Sequence, residues 1–296
     1  VSAIGIVNGT EVGEALVARL STDGRRVLSG VNGAALRRIC GEARLVLIDA
    51  RRDELPAILR ELGEHLEPNH LVAHTVHGLG AEGSAARLIE SESPVRRTGV
   101  LAGPLLISAL RQGTPTAAVI ASHHPEVVAE FSEALSTPRL RVYRSRDPIG
   151  VELSASLAEL ALLGCGMADG LELGAPARAL VMVRAVRELG RLVHALGGDP
   201  VTATGLAGLG DILVRGADDS VPAYRLGVAL VTGAEPDARA LQSLEETSAR
   251  LKTINRDYGV RAHLFEGLAA YLSSPRDQMS PAALVEQLMT IRVLDE

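Results

Sequence analysis

Up to about residue 148 the chain alternates short apolar runs with stretches of helical character, and beyond that point the runs stop. The runs are Ser2–Val7, Arg26–Ser29, Leu45–Asp49, Leu71–Thr75, Val100–Ala102, Ala117–Ala121 and Leu140–Tyr143. They are rich in Val, Ile and Leu and nearly continuous, the pattern of strands covered on both faces. Between them, Asp53-Glu54-Leu55-Pro56 and Pro125-Glu126 open helices with acids and proline in the first turn. Strand and helix in alternation predict a doubly wound parallel sheet, an α/β Rossmann-like domain over residues 1–146. Segments 149–165, 174–197, 220–232, 237–258, 261–273 and 281–290 read as helices separated by Gly, Asp and Pro. They predict an all-α domain over 147–296, joined through a linker at about Ser145–Pro148.

A chain of 296 residues can bury two cores of this kind. Aromatic residues make up only 2% and Trp is absent, so aliphatic side chains fill the core and no base-stacking surface is expected. The net charge of −6 points away from nucleic acid and anionic membranes. No apolar run approaches the ~18 residues of a membrane span. Cys40 and Cys165 stand far apart and outside any metal-ligand pattern. With no signal peptide in view, they read as buried thiols of a cytoplasmic protein. Lys252 is the only lysine, so a mechanism that needs one must use it.

The turn after the first strand reads Gly5-Ile6-Val7-Asn8-Gly9-Thr10-Glu11-Val12-Gly13. A dinucleotide fingerprint needs G-x-G-x-x-G there, so that backbone N–H groups reach a diphosphate at the helix N-terminus. Here the glycines fall every fourth residue, and Glu11 is expected to bring a carboxylate toward the diphosphate. After the second strand, Ser29-Gly30-Val31-Asn32 offers neither an acid for a ribose nor an arginine. Two readings stay open: a modified dinucleotide site on Gly5, Asn8, Gly9 and Gly13, or a Rossmann-shaped domain without a dinucleotide. Both checkpoints fail together, which favours NAD(P) bound weakly or not at all. His123-His124 and the His74/His77 pair lack the carboxylate spacing of a helix-borne zinc site, and no metal is predicted. A G-x-S-x-G elbow and a P-loop are also absent from the sequence.

Three stretches resemble the bacterial NAD(P)-dependent glycerol-3-phosphate dehydrogenase family. One is Leu101-Ala102-Gly103-Pro104 with Gly113-Thr114-Pro115-Thr116-Ala117 and Ala121-Ser122. Another runs from Val142-Tyr143 to Asp147, then Gly150-Val151-Glu152-Leu153, with Asp169-Gly170-Leu171 downstream. The most specific is Leu196-Gly197-Gly198-Asp199-Pro200, then Thr204 and Gly205-Leu206-Ala207-Gly208-Leu209-Gly210-Asp211. A weaker match, Leu66-Glu67-Pro68 with His74-Thr75-Val76-His77-Gly78, extends the likeness over most of the chain. The resemblance implies a Rossmann domain, a helical substrate domain, a homodimer, and hydride transfer between dihydroxyacetone phosphate and glycerol 3-phosphate.

The same resemblance locates what is missing. The family's catalytic lysine, in A-L-K-N, falls on Ala158, and the next asparagine on Glu159. The lysine of its T-K-G motif falls on His77, more simply read as a surface loop histidine, though one that can still donate a proton. Its phosphate-gripping S-R-N-R-R segment falls on Val221-Pro222-Ala223-Tyr224-Arg225, where only Arg225 survives. A threonine position is Arg215, either a partial substitute for the lost positive charge or, more commonly, an exposed salt-bridging arginine. Asp211 is retained, and Asp211 and His77 are the remnant catalytic positions. The E-G-x-R-T motif has its nearest counterpart in Leu244-Glu245-Glu246-Thr247, which lacks the arginine. Together these departures favour a protein that has lost catalysis and works by binding a partner protein, by regulation or as a scaffold. The alternative is a divergent active dehydrogenase of the same or a related small substrate.

Overall fold

The computed structural model of the protein describes residues 3–79 and 83–273. It divides into two compact units. The first takes the chain to His77 and again up to Glu152; the second takes Gly78, Leu79 and the chain from Leu153.

The first unit holds a seven-stranded sheet: β1 (Ile4–Asn8), β2 (Val27–Ser29), β3 (Leu45–Asp49), β4 (Leu71–His74), β5 (Thr98–Ala102), β6 (Thr116–Ala121) and β7 (Leu140–Ser145). Each predicted run marks a strand, with ends that differ by at most two residues. The strand order is β2-β1-β3-β4-β5-β6-β7. All neighbours are parallel except β5 and β6, where Val100 lies opposite Ala121 in an antiparallel pair. The sheet is therefore mostly parallel, with this one reversal. The intervening helix α5 (Ile107–Gln112, numbered below) packs against α1 rather than crossing the sheet, so the chain returns beside the strand it has just left.

Six helices flank the sheet: α1 (Glu11–Thr22), α2 (Gly33–Glu42), α3 (Leu55–Leu62), α4 (Ala85–Ser91), α5 (Ile107–Gln112) and α6 (Pro125–Leu135). Two apolar clusters form. Ile4, Ile6, Leu16, Leu47 and Phe131 fill one, and Val7, Leu36, Val46, Ile48 and Leu59 the other. Neighbours within one strand, such as Leu47 and Ile48, enter different clusters, as a strand buried on both faces must. Gly5 belongs to this packing: a Cβ there would overlap Ile39 on α2.

The expected linker is a two-residue step, Arg146-Asp147, between β7 and the next helix. Helix α7 (Pro148–Gly170) follows it and runs through the boundary between the units, which falls at Glu152/Leu153 instead of 146/147. By length and hydropathy α7 matches a membrane span, but 89% of its most apolar window is buried inside the protein, as in a core helix. In the second unit follow α8 (Gly174–Ala195), a 3₁₀ turn (Pro200–Thr204), a π turn (Leu206–Gly210), α9 (Asp211–Arg215), α10 (Pro222–Thr232), α11 (Ala238–Tyr258) and α12 (His263–Ser273). Among the described residues no strand follows Ser145. The helix expected at 281–290 lies outside the described residues.

Glycine lets the second unit's helices cross closely. A Cβ at Gly166 would overlap the backbone of Tyr224, and one at Gly227 the backbone of Leu163, so α7 and α10 touch main chain to main chain. Cys165 is buried in that packing, as its Gly-Cys-Gly setting suggests. Burial pushes its thiol up to about 12. The N-terminus of α12 is held from a distance: Glu188 of α8, 3% exposed, accepts from Leu264 N–H at 2.8 Å and Phe265 N–H at 3.1 Å.

Candidate functional site

The β1–α1 turn is the first candidate. Asn8 ends β1, with its Oδ1 buried and without a hydrogen-bond partner. Gly9 N–H donates to the backbone carbonyl of Asp49 at 2.7 Å. Thr10 is the N-cap of α1, and its hydroxyl accepts from Val12 N–H at 3.2 Å. The open end of such a helix offers N–H groups to an anion. Here the anion is internal. Asp49 Oδ2 accepts from Thr10 N–H at 2.9 Å, Thr10 Oγ1–H at 2.8 Å and Gly13 N–H at 3.1 Å. Its Oδ1 accepts from Thr75 Oγ1–H at 2.7 Å. Asp49 is 2% exposed. A Cβ at Gly13 would overlap Asp49 Oδ2, so glycine at this position makes room for the carboxylate.

Two sequence expectations change here. Glu11 does not face the turn; it is exposed and paired with Arg111 Nη2 at 3.1 Å. The carboxylate in the turn comes from Asp49. Gly5 takes no part in the turn, whereas Asn8, Gly9 and Gly13 do. Asp49 was missed as a site residue, although its signal is legible: an acid closing the otherwise apolar Leu45-Val46-Leu47-Ile48 strand. A dinucleotide at this turn would require for its diphosphate the donors that Asp49 holds, and it would meet a carboxylate there. With Asp49 in place, the turn does not fit that group.

Next to Thr75, His74 is fully buried, and neither ring nitrogen has a hydrogen-bond partner. Its Nε2 lies 3.9 Å from Glu152 Oε2. The other oxygen of Glu152 accepts from Ala85 N–H at 2.6 Å, at the start of α4. Burial, with Arg52 and His77 nearby, lowers the His74 pKa to about 3. Burial raises Glu152 to about 7, against the Ala85 hydrogen bond and the charge of Arg52. His77, the remnant lysine position, is half-buried three residues past His74.

In the second unit Ala158 is fully buried in the helical core and carries no proton to give. Arg215 is largely buried and spans two acids. Its Nη1 donates to Asp211 Oδ2 at 2.8 Å, and its Nη2 to Glu159 Oε1 at 2.6 Å. Burial opposes the arginine's charge, but Asp211 and Glu159 outweigh it and raise its pKa. The structure thus joins Asp211, Arg215 and Glu159, whose kinship sequence spacing alone did not reveal. Arg225 is not drawn in: it is exposed on α10 and donates to the Ser220 carbonyl at 3.3 Å. Lys252 is exposed on α11 and donates to Ser273 Oγ at 3.3 Å. No group of three metal-ligating side chains occurs among the described residues.

The Gly205–Asp211 stretch is chiefly architectural. Gly208 lets the π turn press on the Ala203 carbonyl of the 3₁₀ turn, where a Cβ would overlap. That contact delivers Asp211 to the first position of α9, fully buried.

Comparison with known proteins agrees with this architecture. Residues 147–279 match the profile of the NAD-dependent glycerol-3-phosphate dehydrogenase C-terminus. The glycerol-3-phosphate dehydrogenase [NAD(P)+] of Synechococcus sp. (strain RCC307) is 34% identical over 215 residues, 70% of this chain and 69% of the relative. That of Synechococcus sp. (strain JA-2-3B'a(2-13)) is 31% identical over 276 residues, 91% of this chain and 81% of the relative. Among solved structures, glycerol-3-phosphate dehydrogenase from Coxiella burnetii superposes with a TM-score of 0.86 at 23% identity, covering 98% of this chain and 99% of its own. These likenesses place the chain in the NAD(P)-dependent glycerol-3-phosphate dehydrogenase family.

Proposed function

We propose that this member of an oxidoreductase family does not carry out the family's hydride transfer, and acts instead through binding, in a regulatory or scaffolding role. The observation that carries this reading is the ion network of Asp211, Arg215 and Glu159 in the second unit. Reduction of a carbonyl needs a proton for the developing alkoxide and a cation for a substrate phosphate. Ala158 supplies no proton. Arg215 is committed to Asp211 and Glu159, and the one lysine sits exposed on α11. Loss of a positioned acid–base group alone typically lowers a rate about 10²–10⁴-fold. The homodimer implied by the resemblance belongs to the same proposal.

A second reading is an active, divergent NAD(P)-dependent dehydrogenase acting on glycerol 3-phosphate, dihydroxyacetone phosphate or a related small substrate. The comparisons weigh on its side: the relatives above are named glycerol-3-phosphate dehydrogenase [NAD(P)+] at 34% and 31% identity. In that reading Asp211 or His77 takes over the proton. NADH and NADPH consumption with dihydroxyacetone phosphate separates the two. We expect no turnover above a protein-free control. Robust turnover abolished by Asp211→Asn or His77→Ala establishes the second reading and overturns the first.

A further inference from the structure

We propose that the β1–α1 turn is an anion site of the diphosphate class that the protein keeps closed with its own Asp49 carboxylate, an internal competitor for any nucleotide offered to it.

The contacts of Asp49 exceed what capping α1 requires. The helix already has an N-cap in Thr10, whose hydroxyl takes Val12 N–H. Asp49 comes from a strand 36 to 39 residues away and takes a different set of donors: Thr10 N–H, Thr10 O–H and Gly13 N–H on one oxygen, Thr75 O–H on the other. Three donors converging on a single anionic oxygen, two of them backbone N–H groups at a helix N-terminus, form the kind of ring that receives a phosphate oxygen. Glycine at 13 leaves space for that oxygen, which Asp49 Oδ2 now fills. Charge-assisted bonds of this kind are about twice as strong as neutral ones. An external diphosphate must therefore displace the three on Oδ2 and approach a buried negative charge. An absent side chain at 49 removes the competitor and leaves the donors, which are costly to bury unpaired, whereas a neutral amide there removes only the charge and weakens the bonds a ligand must displace.

The inference rests on the first unit alone and not on the catalytic reading, because binding is measured and turnover is not. Wild type, Asp49→Ala and Asp49→Asn are titrated calorimetrically with inorganic pyrophosphate and with NADH, and their melting temperatures are read with and without each. Asp49→Asn is the conservative partner: its amide oxygen can keep the Thr10 and Gly13 bonds while its NH2 faces Thr75 Oγ1. We expect weak or unmeasurable binding to wild type. Each folded variant should bind at least about tenfold more tightly, with a ligand-induced rise in melting temperature larger than that of wild type. If Asp49→Ala does not fold, Asp49→Asn decides alone. Equal affinities for wild type and every folded variant, or low-micromolar NADH binding by wild type, overturn the proposal.

Discussion

His74 Nε2 and Glu152 Oε2 face each other at 3.9 Å inside the first unit, one ring and one carboxyl that cannot both be charged cheaply. Their titrations act on stability in opposite directions. Glu152 is raised from 4.5 to about 7, so its contribution is fully present below pH 4.5 and is lost as pH rises through 7. His74 is lowered from 6.5 to about 3, so its contribution is present above pH 6.5 and is lost as pH falls through 3. Arg52 and His77 are the other charged groups bearing on the pair. Glu152→Gln keeps an acceptor for Ala85 N–H and removes the acid. Its melting temperature relative to wild type should rise between pH 5 and pH 8, by a few degrees. A difference that stays flat across that range would show that Glu152 does not titrate there.

Gly13→Ala tests the fit of Asp49 into its turn. The new methyl would overlap Oδ2 and push the carboxylate off Thr10 and Gly13. Overpacking of this sort costs about 1–3 kcal/mol. Urea unfolding should give a lower midpoint with an unchanged slope, and Gly24→Ala is no control because Gly24 has a φ of +80°.

Arg215→Met should be among the most destabilising single changes in the second unit. It leaves the buried Asp211 and the part-buried Glu159 without their cation, a loss of about 3–5 kcal/mol. Neutralising all three, with Arg215→Met, Asp211→Asn and Glu159→Gln together, should recover most of it. Additive losses in the combined variant would show that the three residues do not act as a unit.

Self-association is the fourth expectation. Val183 on α8, Val201 on the 3₁₀ turn and Leu213 on α9 are 59%, 68% and 55% exposed in the isolated chain. The family resemblance implies a dimer, and these exposed aliphatic side chains of one unit are candidates for its contact. Sedimentation equilibrium should give a dimer at micromolar concentration, and Val183→Glu should shift it toward monomer.

The sheet was legible because its signal is local. Leu45-Val46-Leu47-Ile48 reads as a buried strand from its own short length and β-branched content. The antiparallel turn of β6 was not, since it depends on where α5 packs. The domain boundary was misplaced for a related reason: Asp147-Pro148 marks a helix start, with Gly150 N–H bonded to Asp147 Oδ1 at 2.9 Å, and a helix start looks like a linker when the helix beyond it crosses between cores. At the candidate sites, motif alignment identified Ala158, Glu159, Asp211 and Arg215 one by one. It did not show that Arg215 joins two of the acids, because residues 159 and 215 meet only through tertiary packing. Asp49 escaped for the same reason: its partners Thr10, Gly13 and Thr75 lie 26 to 39 residues away.

Those long spans bear on how the chain folds. Asp49, Glu152 and Glu188 accept from first-turn N–H groups of α1, α4 and α12, across 36, 67 and 76 residues of sequence. Thr10 caps α1 and Ser84 caps α4 locally from the outset, but the added bonds of the distant acids are absent until those acids arrive, and short helices are marginal alone in water. The starts of these three helices should therefore gain hydrogen-exchange protection late, together with the strand or helix that brings the acid. Peptides cut to α1, α4 or α12 should remain largely unfolded.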